Sequence, residues 1–258
     1  MIASRLNPND WNVFYHLGLS YFLLRDYAKA AKAYARCYEL TDAEPELIAV
    51  TDWYYMTLKR CNDDPTIAFM TFKPYFHNES FPFIEERTQE YFGCGRISRQ
   101  DADKFAANTL HIYEYFVAPV FKRGLFLGFD QRSREKIGEP YSWIRTARDQ
   151  REVSQQDFYK HCQIVLQPTD TTENWPRVGF ESMASGSVLV VDNRGGWRQM
   201  VEHGKTGWLC DHERDFIYYA SKMAYEPNLR SDMAHAARER GLELGGLEAS
   251  VASWGGSL

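Results

Sequence analysis

Gln163-Ile-Val-Leu-Gln-Pro-Thr-Asp-Thr-Thr-Glu173-Asn-Trp-Pro-Arg-Val-Gly-Phe-Glu181-Ser-Met-Ala-Ser-Gly-Ser187-Val-Leu-Val-Val-Asp192 is the stretch that decides the fold. It opens with a short apolar run, Ile164 to Leu166, stopped by Pro168. A polar loop follows, and the pattern then predicts a helix from about Pro176 to Ser185. A second apolar run, Val188 to Val191, ends in Asp192. Two short apolar runs joined through a helix read as a βαβ crossover between parallel strands. In open α/β sheets ligands bind outside the carboxyl ends of the strands, and Glu173 and Glu181 fall on that side. Carboxylates accept hydrogen bonds from hydroxyls, while the free N–H groups of a helix N-terminus meet phosphate. The pattern therefore suits a ligand carrying both.

Working outward from this unit, the chain alternates strand and helix over some 150 residues, which gives one doubly wound, Rossmann-like parallel sheet. Tyr91 to Ser98 reads as a strand feeding a turn through Gly93 and Gly95. A helix is expected from about Asp101 to Phe116, a strand over Gly124 to Phe129, and a shorter strand around Tyr141 to Thr146. A helix capped at Ser154 leads into the Glu-pair unit. After Asp192 come a helix from Gly196 to Glu202, a short strand at Gly207, and helices over about Glu213 to Ala224 and Leu229 to Arg240. Beyond Gly245 the Gly/Ser-rich tail is expected to be loose.

Glu173-x7-Glu181, followed by Ser182-Met-Ala-Ser-Gly-Ser-Val-Leu-Val, Asn193-Arg-Gly-Gly196 and His203-Gly-Lys-Thr-Gly207, resembles the donor-binding half of family-4 retaining glycosyltransferases of GT-B fold. The resemblance implies transfer of a sugar from a nucleotide-diphosphate donor with retention at the anomeric carbon. It implies no metal and no cofactor beyond that donor substrate. Glu173 would accept from sugar hydroxyls and Glu181 from the ribose hydroxyls of the nucleotide. Backbone N–H groups from Asn174 through Arg177 to Val178 would meet the sugar or β-phosphate. Gly195 and Gly196 would let backbone approach the donor. Arg96, after the Gly95 turn, and Lys104 would neutralise the leaving diphosphate, the charge that develops in the transition state. Arg99 competes with Lys104 for that role, and solvated helix-start charges are the plainer alternative for all three. For Glu181 the plainer alternative is an acid favoured by the helix dipole. The chain departs from the family pattern at Asn174-Trp175-Pro176, where an aromatic-Gly pair is usual, and at Gln199, where an acid is usual.

The first 61 residues read as helical and similar to a tetratricopeptide repeat, with Phe14, Leu17, Gly18 and Tyr21 on one helix and Ala30, Tyr34 and Cys37 on the next. A third helix is expected from Pro45 to about Arg60. Residues 62–89, rich in Pro and aromatics, read as a linker pressed against something apolar. The expected organisation is therefore 1–61 helical segment, 62–89 linker, 90–245 donor-binding domain and 246–258 tail. The helical segment stands where the first domain of a complete GT-B enzyme would be. Its TPR-like face would take a protein partner, or the hairpin would simply buttress the neighbouring domain. A non-catalytic interaction module carrying a degenerate glycosyltransferase domain is the competing reading.

Composition narrows the classes. With 258 residues, 44% of them hydrophobic and 25% charged, the chain can bury a real core. A net charge of −5 argues against a broad nucleic-acid surface. No run approaches the ~20 apolar residues of a membrane span. Five scattered cysteines without a Cys-x-x-Cys indicate neither a disulfide framework nor structural zinc, and fit a reduced, cytoplasmic setting.

Overall fold

The computed structural model describes residues 10–40 and 73–255, and the chain divides into two compact units, Met1–Thr71 and Phe72–Leu258. In the first unit α1 (Trp11–Leu23) and α2 (Tyr27–Leu40) form a helical hairpin. Asp10 caps α1 by accepting from the Asn12 N–H at 3.0 Å. The chain reverses through Leu24–Asp26, with Arg25 in the left-handed region at φ 62°. Gly18 is what lets the helices approach. A Cβ there would stand 2.6 Å from the Tyr34 ring, and Ala30 and Tyr34 are wholly buried. The expected helix from Pro45 to Arg60 and the first part of the linker lie outside the described residues.

The second unit runs β1 (Tyr91–Ile97), α3 (Thr109–Tyr115), β2 (Phe121–Leu127), α4 (Gln131–Ile137), β3 (Ile144–Ala147) and α5 (Gln155–His161). It continues with β4 (Ile164–Gln167), α6 (Arg177–Ser185), β5 (Val188–Asp192), α7 (Trp197–Met200), β6 (Gly207–Cys210), α8 (Glu213–Tyr225), α9 (Pro227–Gly245) and α10 (Leu247–Gly255). All six strands are parallel, in the order β3-β2-β1-β4-β5-β6, so the direction of winding reverses between β1 and β4. The pairing of Ile164 with Val188 and Leu166 with Val190 realises the βαβ unit read from the sequence.

Burial on both faces explains why the central strands are unbroken apolar runs. Ile164, Leu166, Val188 and Val190 enter one core with Phe105, Tyr113 and Phe126. Val165, Leu189 and Val191 enter the other with Phe158, Phe180 and Met183. Helix α6 is buried from Gly179 to Ser185 and stops at Gly186, which takes φ 78°.

Four elements differ from the sequence expectation. The helix expected from Asp101 to Phe116 is broken. Asp101 caps a short 3-10 turn (Ala102–Lys104), Phe105 is extended with its ring wholly buried, and α3 begins only at Thr109. Helix α4 was not read at all, although Asp130 accepts from the Ser133 N–H at 2.8 Å and Gly138 ends the helix at φ 91°. The tail expected to be loose is helical in α10. It is tied to residue 73 by the Lys73 N–H on Ser253 Oγ and by Ser250 Oγ on the Lys73 carbonyl. Lastly, residues 73–89, irregular apart from the 3-10 turn Asn78–Ser80, belong to the α/β unit. Phe76 and Phe81 enter its core, and Phe76 stacks on Phe180 with centroids 5.3 Å apart. Arg87 pins the segment's end by donating to the carbonyls of Ile84, Tyr159, Ser185 and Gly186 and to Ser187 Oγ.

Candidate functional site

The winding reverses between β1 and β4, the place where open α/β sheets form a ligand crevice, and the loops leaving these two strands bring the first sequence-marked pair together. Lys104, at the end of the 3-10 turn after β1, places Nζ 2.8 Å from Oε1 of Glu173 in the loop after β4. Both side chains are about one-fifth exposed or less, so the pair is reachable yet shielded. Arg99 is not part of it; it is exposed and its guanidinium meets Asp101 at 3.3 Å.

Arg96 does not open into the crevice as expected. It is fully buried on β1, its guanidinium lies 3.6 Å over the Phe105 ring, and its Nη2 donates to the Lys104 carbonyl. Burial lowers its pKa to about 10. Its Nε and Nη1 have no hydrogen-bond partner among the described residues. The cause is the break at Phe105, whose ring turns inward and covers the arginine. Arg96 thus supports the Lys104 turn from below. Gly95 is likewise internal, since a Cβ would stand 2.6 Å from Cys162 Sγ and 2.7 Å from the Leu125 carbonyl. Its glycine serves packing between β1, β2 and α5.

Glu181 sits in the second turn's reach of α6, 2% exposed, with its carboxylate turned toward α5. It accepts from Tyr159 Oη at 3.0 Å and from Gln155 Nε2 at 3.2 and 3.3 Å, while Arg177 Nε lies 3.9 Å away. Burial raises its pKa, and the Tyr159 hydrogen bond offsets part of that rise. Tyr159 and Gln155 escaped the sequence reading. The available signal was their i,i+4 spacing directly after the Ser154 cap.

Helix α6 has Pro176 as its N-cap, and no side chain caps its first-turn N–H groups. Arg177 is exposed and Val178 half-buried. The Gly195-Gly196 pair contacts the protein's own loop. A Cβ on Gly195, at φ 56°, would stand 2.3 Å from the Glu173 carbonyl, and one on Gly196 would overlap the Asn174 carbonyl. Gly196 N–H donates to the Glu173 carbonyl at 2.6 Å. These glycines fix the position of Glu173 and Asn174, where the resemblance had them approach the donor directly. The two departures from the family pattern meet each other as well. Trp175 Nε1 donates to Gln199 Oε1 at 2.8 Å, and the indole stacks on Phe180 at 5.8 Å.

Beside the crevice a cavity of about 220 Å³ lies over the carboxyl ends of β4, β5 and β6, bordered by Thr169, Asp170, Asp192, Arg194 and Glu213. Asp192 accepts from the Thr169 N–H at 2.9 Å; burial raises its pKa to about 6 against the pull of Arg194, 3.5 Å away. Among the described residues no three His, Cys, Asp or Glu side chains gather as metal ligands, and no helix is long and apolar enough to cross a membrane.

Comparison with known proteins bears on this geometry. The family model described as Glycosyl transferases group 1 matches residues 150–240, the span from α5 through most of α9. Human alpha-1,3/1,6-mannosyltransferase ALG2 is 28% identical over 107 residues, covering 40% of this chain and 24% of the human protein. The chain thus spans about a quarter of that relative. Among solved structures, Anabaena HepE in complex with UDP and glucose is similar at a TM-score of 0.62 and 13% identity, over 91% of this chain and 76% of HepE. The C-terminal domain of the Francisella tularensis group 1 glycosyl transferase LpcC is similar at a TM-score of 0.50 and 16% identity, over 64% of this chain and 95% of that domain. The α/β unit has the architecture of a GT-B donor-binding domain.

Proposed function

We propose that the α/β unit binds a nucleotide-diphosphate sugar in the β1/β4 crevice and passes the sugar, with retention, to an acceptor hydroxyl. The observation that carries this reading is the Lys104–Glu173 pair, which joins the loops after β1 and β4 at the open end of α6. UDP and glucose are bound by HepE, so a UDP-sugar is the first donor to try. In this reading Glu181 receives the ribose hydroxyls and the α6 N-terminus receives the diphosphate. Lys104 exchanges Glu173 for the β-phosphate oxygen, leaving Glu173 free to accept from the sugar. The bond from the anomeric carbon to that oxygen breaks as the acceptor oxygen bonds on the same face. The acceptor proton passes to the leaving phosphate.

The test is release of nucleotide diphosphate from UDP- and GDP-sugars, with and without hydroxyl acceptors. Release is expected from at least one donor, and Lys104→Met reduces it roughly a hundredfold through lost charge stabilisation. Absence of release from every donor contradicts a transferase.

A second reading, a non-catalytic interaction module, is favoured by the covered position of Arg96 under Phe105. It keeps the fold without nucleotide release. In both readings the helical hairpin is TPR-like and offers a face to a protein partner; the close packing of Gly18 on Tyr34 supports that assignment. A cytoplasmic setting is supported by the buried thiols of Cys94, Cys162 and Cys210, none of which is in a disulfide.

A further inference from the structure

The amino ends of β1, β2 and β3 carry a feature that sugar transfer does not use. A cavity of about 660 Å³ lies there, within the range of small-ligand sites. Strands of seven residues separate this end of the sheet from the crevice by about 20 Å. The pairing of Tyr91 with Phe121 and of Leu125 with Arg145 puts Tyr91, Phe121, Arg123 and Arg145 on one face.

The two arginines stand apart from the rest of the unit. Among residues 73–255, Arg132 aside, every other arginine donates to a carbonyl or pairs with an acid. Neither Arg123 nor Arg145 has a side-chain hydrogen bond or ion pair among the described residues, although Glu90 and Asp157 also line the cavity. Arg123 instead places its guanidinium carbon 4.5 Å over the Tyr91 ring, and Tyr91 stacks in turn on His161 at 5.3 Å. His161 cannot supply an acid partner; its ring nitrogens face the Arg123 carbonyl and Tyr91 Oη. A guanidinium stacked on a ring keeps its fork of donors free and pre-oriented for a phosphate or carboxylate. Phe121, 85% exposed, is a large apolar surface at the mouth.

We infer that this cavity is a second ligand site, specific for a small phosphate monoester with a flat ring. The phosphate lies between Arg123 and Arg145, and the ring lies against Phe121.

The probe is phenyl phosphate, titrated calorimetrically into the full chain, with inorganic phosphate and phenol as separate arms. Saturable binding of phenyl phosphate is expected, tighter than either arm alone. Arg123→Gln and Arg145→Gln each weaken it roughly tenfold, the loss of one charge-assisted hydrogen bond. Both residues are at the surface, so the fold is retained. Lys104→Met, at the other end of the sheet, leaves phenyl phosphate binding unchanged, and the arginine variants leave UDP binding unchanged. Three outcomes overturn the assignment: no saturable binding at millimolar phenyl phosphate, binding indifferent to both arginine variants, or binding that disappears with Lys104→Met.

Discussion

Glu181 and Asp192 are two acids held out of water at one end of a sheet, and each predicts a measurable pH effect or coupling. Asp192 has its pKa raised by burial to about 6, so its ionised form destabilises the fold above that pH. In the unfolded chain the carboxyl titrates near its ordinary ~3.9, so the native state binds the extra proton between the two values. Stability from this group therefore rises as the pH falls from about 6 towards 4. Asp192→Asn keeps an acceptor for the Thr169 N–H, and is expected to stabilise by about 2 kcal/mol at pH 7.5, fading near pH 4. Urea denaturation at the two pH values checks it. For Glu181, Tyr159→Phe removes the one hydroxyl donor to a buried carboxylate. It is expected to raise the KM for donor several-fold while leaving kcat within about twofold, because Tyr159 orients Glu181 and touches no reacting atom. Glu173 and Lys104 were both singled out in the sequence through the resemblance, and the structure brings the two side chains together. The partnership of Glu181 with Tyr159 and Gln155 was not, because it arises only where α5 crosses α6. The burial of Arg96 was hidden for a similar reason, since it depends on where the Phe105 ring goes.

Among the elements, the central βαβ unit could be read closely because strands buried on both faces have no polar alternation to confuse them. Helix α4 was missed because it is only seven residues long and shows little apolar periodicity, leaving its caps as the only signal. The 73–89 segment shows how much stability an irregular stretch can supply. Arg87, with its pKa lowered to about 10 by burial, satisfies carbonyls at the end of α6. Arg87→Ala leaves those groups unpaired and is expected to cost about 3 kcal/mol, measured by equilibrium denaturation. At the loop before α6, Trp175 and Gln199 act as one element. A double-mutant cycle with Trp175→Phe and Gln199→Ala is expected to give a coupling of about 1 kcal/mol in stability. Additive single effects contradict the indole–amide bond.

For the molecule as a whole, the division at Thr71 predicts that Phe72–Leu258 expressed alone folds cooperatively and keeps its nucleotide affinity within about twofold of the full chain. An unfolded or non-binding fragment contradicts it. The α/β architecture was legible from alternating strands and helices. The helical tail α10 was not: Leu247, Val251 and Trp254 keep helical spacing, but the flanking glycine pairs read as loop, and its hold on residue 73 is tertiary. The central claim concerns one crevice, formed where loops from β1 and β4 meet the open end of α6. Calorimetric titration of the full chain with UDP and GDP, repeated on Lys104→Met and Glu181→Ala, addresses it most directly. Saturable binding of one nucleotide, weakened roughly tenfold or more by each substitution, is the predicted result. Binding that ignores both substitutions, or no binding of either nucleotide, contradicts the assignment of that crevice.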